Sequence, residues 1–222
     1  MRKTSAQFVA LFVSSVAFPT HADVEREFSV DDFDSVAVSQ GINLNLVTGS
    51  PSSVTAVADD DSDLDSLEIE VDDGELVIRR GSWVSGLFSM HKSRGSVTVN
   101  VVATELQAVA SSSGANADLI DITCADLEVD ASSGSRIEVS GSCDTVAIDA
   151  SSDASVDSSD LITSDASVDS SSGASIQVFA GERFRGDASS GSSIRVYGNP
   201  EVAESETSSG ASIDLRRHAQ TI

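Results

Sequence analysis

A short turn-forming string recurs through the second half of the chain at nearly constant spacing. It reads Ser112-Ser113-Gly114, Ser132-Ser133-Gly134, Ser151-Ser152-Asp153, Ser171-Ser172-Gly173, Ser189-Ser190-Gly191 and Ser208-Ser209-Gly210. The last residues of successive strings lie 20, 19, 20, 18 and 19 positions apart. Self-similarity at such a period is the signature of stacked supersecondary units, and it constrains the fold more than any local propensity does.

Aligned on those turns, the units share a hydrophobic register. Three positions after the turn residue stand Ala117, Ile137, Val156, Ile176, Ile194 and Ile213. Two positions further on are Leu119, Val139, Ser158, Val178, Val196 and Leu215, apolar in all but one unit. Between them lie Asp118, Glu138, Asp157, Gln177, Arg195 and Asp214, all polar. Strict alternation of this kind predicts a strand with one buried face. A second strand precedes each turn, as in Leu127 and Val129, Val146 and Ile148, and Ala166 and Val168. Next to the turn the inward residue stays small: Ser111, Ala131, Ala150, Ser170, Ala188 and Thr207. Gly141, Asp160 and Gly198 mark the opposite corner.

Each unit is therefore strand, turn, strand, turn, a flattened lap that returns above its start and pairs in parallel with the next. The expected fold is all-β, a two-sheeted parallel β-helix. A disordered Ser/Gly/Asp-rich linker would show no register among its aliphatic residues. One lap buries about four or five aliphatic side chains at roughly 1.5–3 kcal/mol each. Fixing its backbone costs roughly 1–2 kcal/mol per residue, so laps fold only as a stack with capped ends. Residues 111–217 form these coils and 218–222 a tail. Residues 23–110 read as a β cap grading into them, with Phe28, Val30 and Phe33 before Val36 and Val38, then Leu67 to Val71, and Val97, Val99 and Val101. Almost nothing in this part asks for a helix.

The cap contains Gly41-Ile42-Asn43 followed by the alternating Leu44-Asn45-Leu46-Val47, and later Asp72-Asp73-Gly74 leading into Leu76-Val77-Ile78. That order, continued by the Ser-Gly repeats, resembles the head GIN domain of putative auto-transporter adhesins, over about Phe28 to Leu215. The resemblance implies a right-handed β-helix related in shape to pectin lyases, without their catalytic residues, and a role in adhesion. The chain length leaves no room for an outer-membrane translocator barrel, so the auto-transporter part of that description is not expected to carry over.

Arg2 and Lys3, the apolar run from Phe8 to Phe18, and Thr20-His21-Ala22 give residues 1–22 the layout of a secretory signal peptide. The run is too short for a membrane anchor, no cysteine flanks the cleavage site, and no later stretch is apolar enough to span a bilayer. The expected location is exported: periplasm, cell surface or medium. The formal net charge of −23 repels nucleic acid and anionic lipid and favours cations as partners.

Cys124 and Cys143 each lie ten residues before the turn residue of their unit, which places them side by side on adjacent laps. Strand spacing of ~4.8 Å lies within reach of a disulfide, the alternative being two stacked thiols. Asp130, Asp149, Asp169, Asp187 and Glu206 form a column four residues before the turns. Adjacent carboxylates at lap spacing repel by about 1 kcal/mol even in water. The column is either splayed and solvated or recruits Ca²⁺ or another hard cation. No dedicated calcium loop is present, and the sequence calls for no other cofactor.

Residues 81–95 interrupt the strand pattern and carry Trp83, Leu87 and Phe88, with Arg79, Arg80, His91, Lys92 and Arg94 around them. This segment is either a lid over one end of the core or an exposed contact for a glycan, a protein or a second subunit. A polysaccharide lyase would need a positioned base. Only His91 and His218 follow the leader, and Arg136, Arg183, Arg185 and Arg195 form no compact constellation. The functional expectation is a non-enzymatic binding or adhesion module of the cell envelope. A carbohydrate-active enzyme of pectin-lyase-like shape and a periplasmic scaffold are the alternatives.

Overall fold

Alternation along each repeat becomes two sheets set back to back in the computed structural model, which describes residues 23–81 and 95–217. The leader 1–22, the tail 218–222, and Trp83, Leu87 and Phe88 lie outside the described residues. The N-terminal part supplies β1 (Val24–Phe28), β2 (Ser35–Val38), β3 (Asn43–Thr48), β4 (Ser53–Ala58), a single-turn helix α1 (Asp61–Leu64), β5 (Leu67–Asp72), β6 (Glu75–Arg80) and β7 (Val97–Ala103). The repeats supply β8 (Ala108–Ser111), β9 (Asn116–Ala131), β10 (Arg136–Ala150), β11 (Ser155–Ile162), β12 (Asp165–Ser170) and β13 (Ser175–Ala180). The last are β14 (Arg183–Ala188), β15 (Ser193–Gly198), β16 (Val202–Thr207) and β17 (Ser212–Arg217). Together they wind into a β-solenoid of about five turns.

One face stacks β1, β4, β7, β3, the first halves of β9 and β10, then β11, β13, β15 and β17. The other stacks β5, β6, β2, β8, the second halves of β9 and β10, then β12, β14 and β16. From β7 and β6 onward each stack is parallel. The outermost strands β1, β4 and β5 run antiparallel and close the N-terminal end. Lap order departs from chain order there, because the β2–β3 lap lies between the β6–β7 lap and the β8–β9 lap. The helix α1 was not expected. Asp60 caps it by accepting from the Ser62 amide, and it places Leu64 on the core at 1% exposure.

The Ser-Ser-Gly strings are type I′ turns, which require positive φ at both central residues. The central serines have φ of 51–55° and the following Gly or Asp 61–79°. Each turn is closed by an amide donating to the carbonyl three residues back at 3.1–3.2 Å, as Ala115 does to Ser112. The first five also donate to the next lap, Gly114 N–H to Ser133 O and so on at 3.0–3.2 Å. A left-handed serine costs roughly 1–2 kcal/mol, and two hydrogen bonds per turn at about 1 kcal/mol each offset that. Gln40 and Gly41 show the same pair of positive φ angles (62° and 71°). The glycine of the GIN tripeptide is thus the first turn of this series. Ile42 is its first core residue at 0% exposure. Asn43 faces outward, accepting from the Asn116 side-chain amide at 3.0 Å.

Inside, one continuous aliphatic core runs from Phe33 to Val196. Most polar residues at inward positions are satisfied locally: Ser135 Oγ donates to Ser111 O (2.8 Å), Ser158 Oγ to Gln177 O (3.0 Å) and Ser192 Oγ to Ser170 O (2.9 Å), whereas the buried Ser170 Oγ has no hydrogen-bond partner. Phe184 is buried at 1% because it folds over Gly186, where a Cβ would meet its ring at 2.4 Å. At the corner opposite the serine turns, β9 and β10 cross from one sheet to the other. There Gly141 (φ 130°) lies against the neighbouring lap, and a Cβ would stand 2.1 Å from Ile122 O. Gly141→Ala is expected to lower stability by about 2–4 kcal/mol through combined strain and overlap, read as a shift of the denaturant midpoint.

Candidate binding surface

Because the interior is filled, any ligand chemistry must use the outer faces or the end. On the second face the carboxylates expected as a column are in register. Asp130 pairs with Asp149, Asp149 with Asp169, Asp169 with Asp187, and Asp187 with Glu206. Parallel stacking, with each carboxylate four residues before its turn, places them so. A shallow groove runs along this ladder, with Ser171, Ser189 and Ser208 on its wall. Partial burial, and then neighbouring carboxylates, raise two of these groups above the usual carboxylate range. For Asp130 the neighbours are Glu128 and Asp149. For Asp169 they are Asp187 and Asp149, with Arg185 pulling the other way. Among the described residues no three Asp, Glu, His or Cys side chains converge on a point that could hold a metal ion. The column is a line of carboxylates, not a cage.

The first face carries a second polar column, Asp118, Glu138, Asp157, Gln177, Arg195 and Asp214, on register positions of successive laps. The Gln177 amide donates to Asp157 at 2.9 Å, and its oxygen accepts from Tyr197 (3.0 Å) and Arg195 (3.1 Å). Burial, followed by Glu138, raises Asp118 as well. Beside this column Val47 registers with both Val102 and Ile120, and Val47 and Ile120 are 37% and 50% exposed. Sequence reading missed this small apolar patch. The outward alternation of Val47 after Leu46 and of Ile120 after Leu119 is the signal that could have found it.

The guanidinium groups are already engaged. Arg136 meets Glu138, Arg183 meets Asp165, and Arg185 lies 3.7 Å from Asp187 and 3.6 Å from Glu204. Arg79 donates to Glu68 and Glu70 at 2.8 Å each. Arg80 is buried and bridges Asp63 (3.4 Å) and Gly95 O (2.7 Å), while Gly95 N–H donates to Asp63 at 3.2 Å. The basic surface expected around the interrupting segment is therefore reduced at its base. Arg79 is neutralised by acids, and Arg80 is an internal clamp joining the point where the chain leaves β6 to the point where it returns to β7. These flanks occupy, on the outermost lap, the place that Gln40 and Gly41 fill on the lap below.

Cys124 and Cys143 are register partners and form a disulfide across adjacent laps, with Cα atoms 4.6 Å apart. Cys143 is buried at 6%. The bridge ties the second lap of repeats to the first on the side away from the serine turns.

Residues 32–200 match the family described as "putative auto-transporter adhesin, head GIN domain", and the chain belongs to that family. No curated protein matches it. Among solved structures, a putative adhesin from Bacteroides fragilis shares the fold with a TM-score of 0.67 at 12% identity, covering 89% of this chain and 99% of that one. A putative adhesin from Parabacteroides distasonis has a TM-score of 0.54 at 17% identity, with 89% and 97% covered. A putative lipid binding protein from the same species has a TM-score of 0.52 at 16% identity, with 87% and 96% covered.

Arg80→Ala would strand Asp63 beside the core. It is expected to cost about 3–5 kcal/mol, measured by chemical denaturation. A raised folded-state pKa means that the group stabilises below its unfolded pKa and that this contribution is lost as pH rises through the folded value. Asp169→Asn is therefore expected to raise the melting temperature at pH 7. The advantage should disappear below about pH 4, where the wild-type carboxyl is protonated in both states.

Proposed function

We propose that this chain is an exported, non-enzymatic binding or adhesion module of the cell envelope that presents its outer faces to a glycan or protein ligand. The observation that carries this reading is the combination of a filled core with two outer faces of regularly repeated polar side chains. Such a surface can meet a repeating polymer at several equivalent positions, so that individually weak contacts add through avidity. Family membership supports the same reading. The pairing of Arg136, Arg183 and Arg185 with carboxylates and of Arg195 with Gln177 supports a non-catalytic role, since a lyase-like chemistry would need such groups turned toward substrate.

Lipid recognition, the property in the name of one structural neighbour, would have to use the exterior here. The space between the sheets is occupied by Leu44, Leu46, Ile78, Ile137 and Phe184, each at 0–1% exposure, and offers no room for an acyl chain. Val47, Val102 and Ile120 are the apolar residues that could contribute outside. For the glycan or protein reading, Trp83, with Leu87 and Phe88 close by in sequence, supplies the aromatic contact. The stacked carboxylates remain the place for loosely held cations such as Ca²⁺.

The test is binding of purified Asp23–Ile222 to a broad glycan and extracellular-matrix array, with and without Ca²⁺. Saturable binding that Trp83→Ala weakens at least about tenfold, with the melting temperature unchanged, is the expected result. Silence in both conditions would reject adhesion and favour a scaffold within the envelope.

A further inference from the structure

The two ends of the solenoid are not equivalent. At the N-terminal end β4 and β5 run antiparallel to the laps, β1 pairs in turn antiparallel with β4, and Leu64 of α1 is buried at 1%. At the C-terminal end, β16 pairs only with β14 and β17 only with β15 among the described residues. The inward column of the first face is buried at 0% in Val178 and 1% in Val196, but its next member Leu215 is 49% exposed. On the second face Ala203, Ser205 and Thr207 are exposed, at positions in register with Phe184, Gly186 and Ala188. The last lap thus ends in two free strand edges above an aliphatic row.

We infer that this open end is an interface for a second copy of the same chain, joined by antiparallel pairing of β17 with itself about Leu215. Three features select that occupant and that register. First, Ser212 N–H donates to Ser192 O, and backbone groups of alternate residues point the same way along a strand. The amides and carbonyls of Ile213 and Leu215 therefore face the free edge, as self-pairing about Leu215 requires. Second, in that register Asp214 of each copy faces Arg216 of the other, on the outer surface and on both sides of the two-fold axis. A shift by one residue to a centre at Asp214 would instead oppose Asp214 to its own copy. Third, Leu215 meets its equivalent on the inner surface, continuing the aliphatic column across the junction.

A two-fold axis normal to the sheets brings β16 beside the second copy's β16 at the same time, so both sheets continue. Glu204 and Glu206 oppose this junction by like charge, and Arg185 at 3.6 Å from Glu204 partly offsets it. Because a two-fold contact uses the same surface on both copies, it closes on itself, and association through this end stops at two rather than growing into a filament. In the single chain Arg216 is paired with Asp214 of its own strand at 2.7 Å, both more than half exposed. These side chains can exchange partners without disturbing the core.

The experiment is sedimentation of the exported full chain over a wide concentration range, with circular dichroism to verify folding. A monomer–dimer equilibrium is expected. Arg216→Asp should weaken it by at least about tenfold, because Asp214 would then face a like-charged carboxylate across the junction. The double exchange Asp214→Arg with Arg216→Asp should restore it, and Leu215→Lys should abolish it. A monomer at every concentration would overturn the proposal and assign the covering of this end to residues after 217. A dimer indifferent to Arg216→Asp would overturn it as well.

Discussion

Every other feature of this molecule depends on the hydrogen bond between one lap and the next. A lap has too few aliphatic side chains to outweigh the entropy of fixing about 19 residues, so its backbone groups must be satisfied by its neighbours. The serine turns show how far this goes. Even the corners are laddered, with the turn amide of one lap donating to the turn serine of the next. A chain built this way has no independent core per unit. Its stability is a sum of unit and interface terms, and the antiparallel strands β1, β4 and β5 supply at one end what neighbours supply elsewhere.

Much of this was legible in the residues. The nearly constant spacing of the Ser-Ser-Gly strings set the lap length, and alternation around Ile137, Ile176 and Ile194 set which side faced inward. From those two facts the pairing of Cys124 with Cys143 and the carboxylate column both follow as consequences of register. What was not legible has a physical reason in each case. The interleaving of the β2–β3 lap between two later laps leaves no mark on local periodicity, since each strand alternates identically whatever its neighbour. Arg80 lies in a short strand next to Arg79, and its burial depends on Asp63, distant in sequence and placed by α1. The exposed Val47 and Ile120 were masked by the aliphatic residues beside them.

Packing between the sheets also decides where recognition can occur. Among the described residues the space between the sheets is filled by aliphatic side chains, so the proposed recognition would be written on surfaces one residue deep. Those surfaces are ordered by the same repeat that orders the core. Each outer column presents one residue type, or a slow variation of it, at the spacing of a β-sheet. Acidic side chains dominate both columns, and the arginines interrupt them only where a carboxylate already stands alongside.

The disulfide gives this architecture a mechanical asymmetry. Were tension to enter through the C-terminal end, strands would detach one after another in the manner of a peeling tape, since each interior lap is held edge to edge by its two neighbours. Each freed lap would lengthen the chain by about 65 Å. At Cys124–Cys143, whose bridge spans 19 positions of sequence, that lengthening stops. The enclosed lap could come away from its neighbours, yet the slack it holds could not be paid out, and the load would pass directly to the cap.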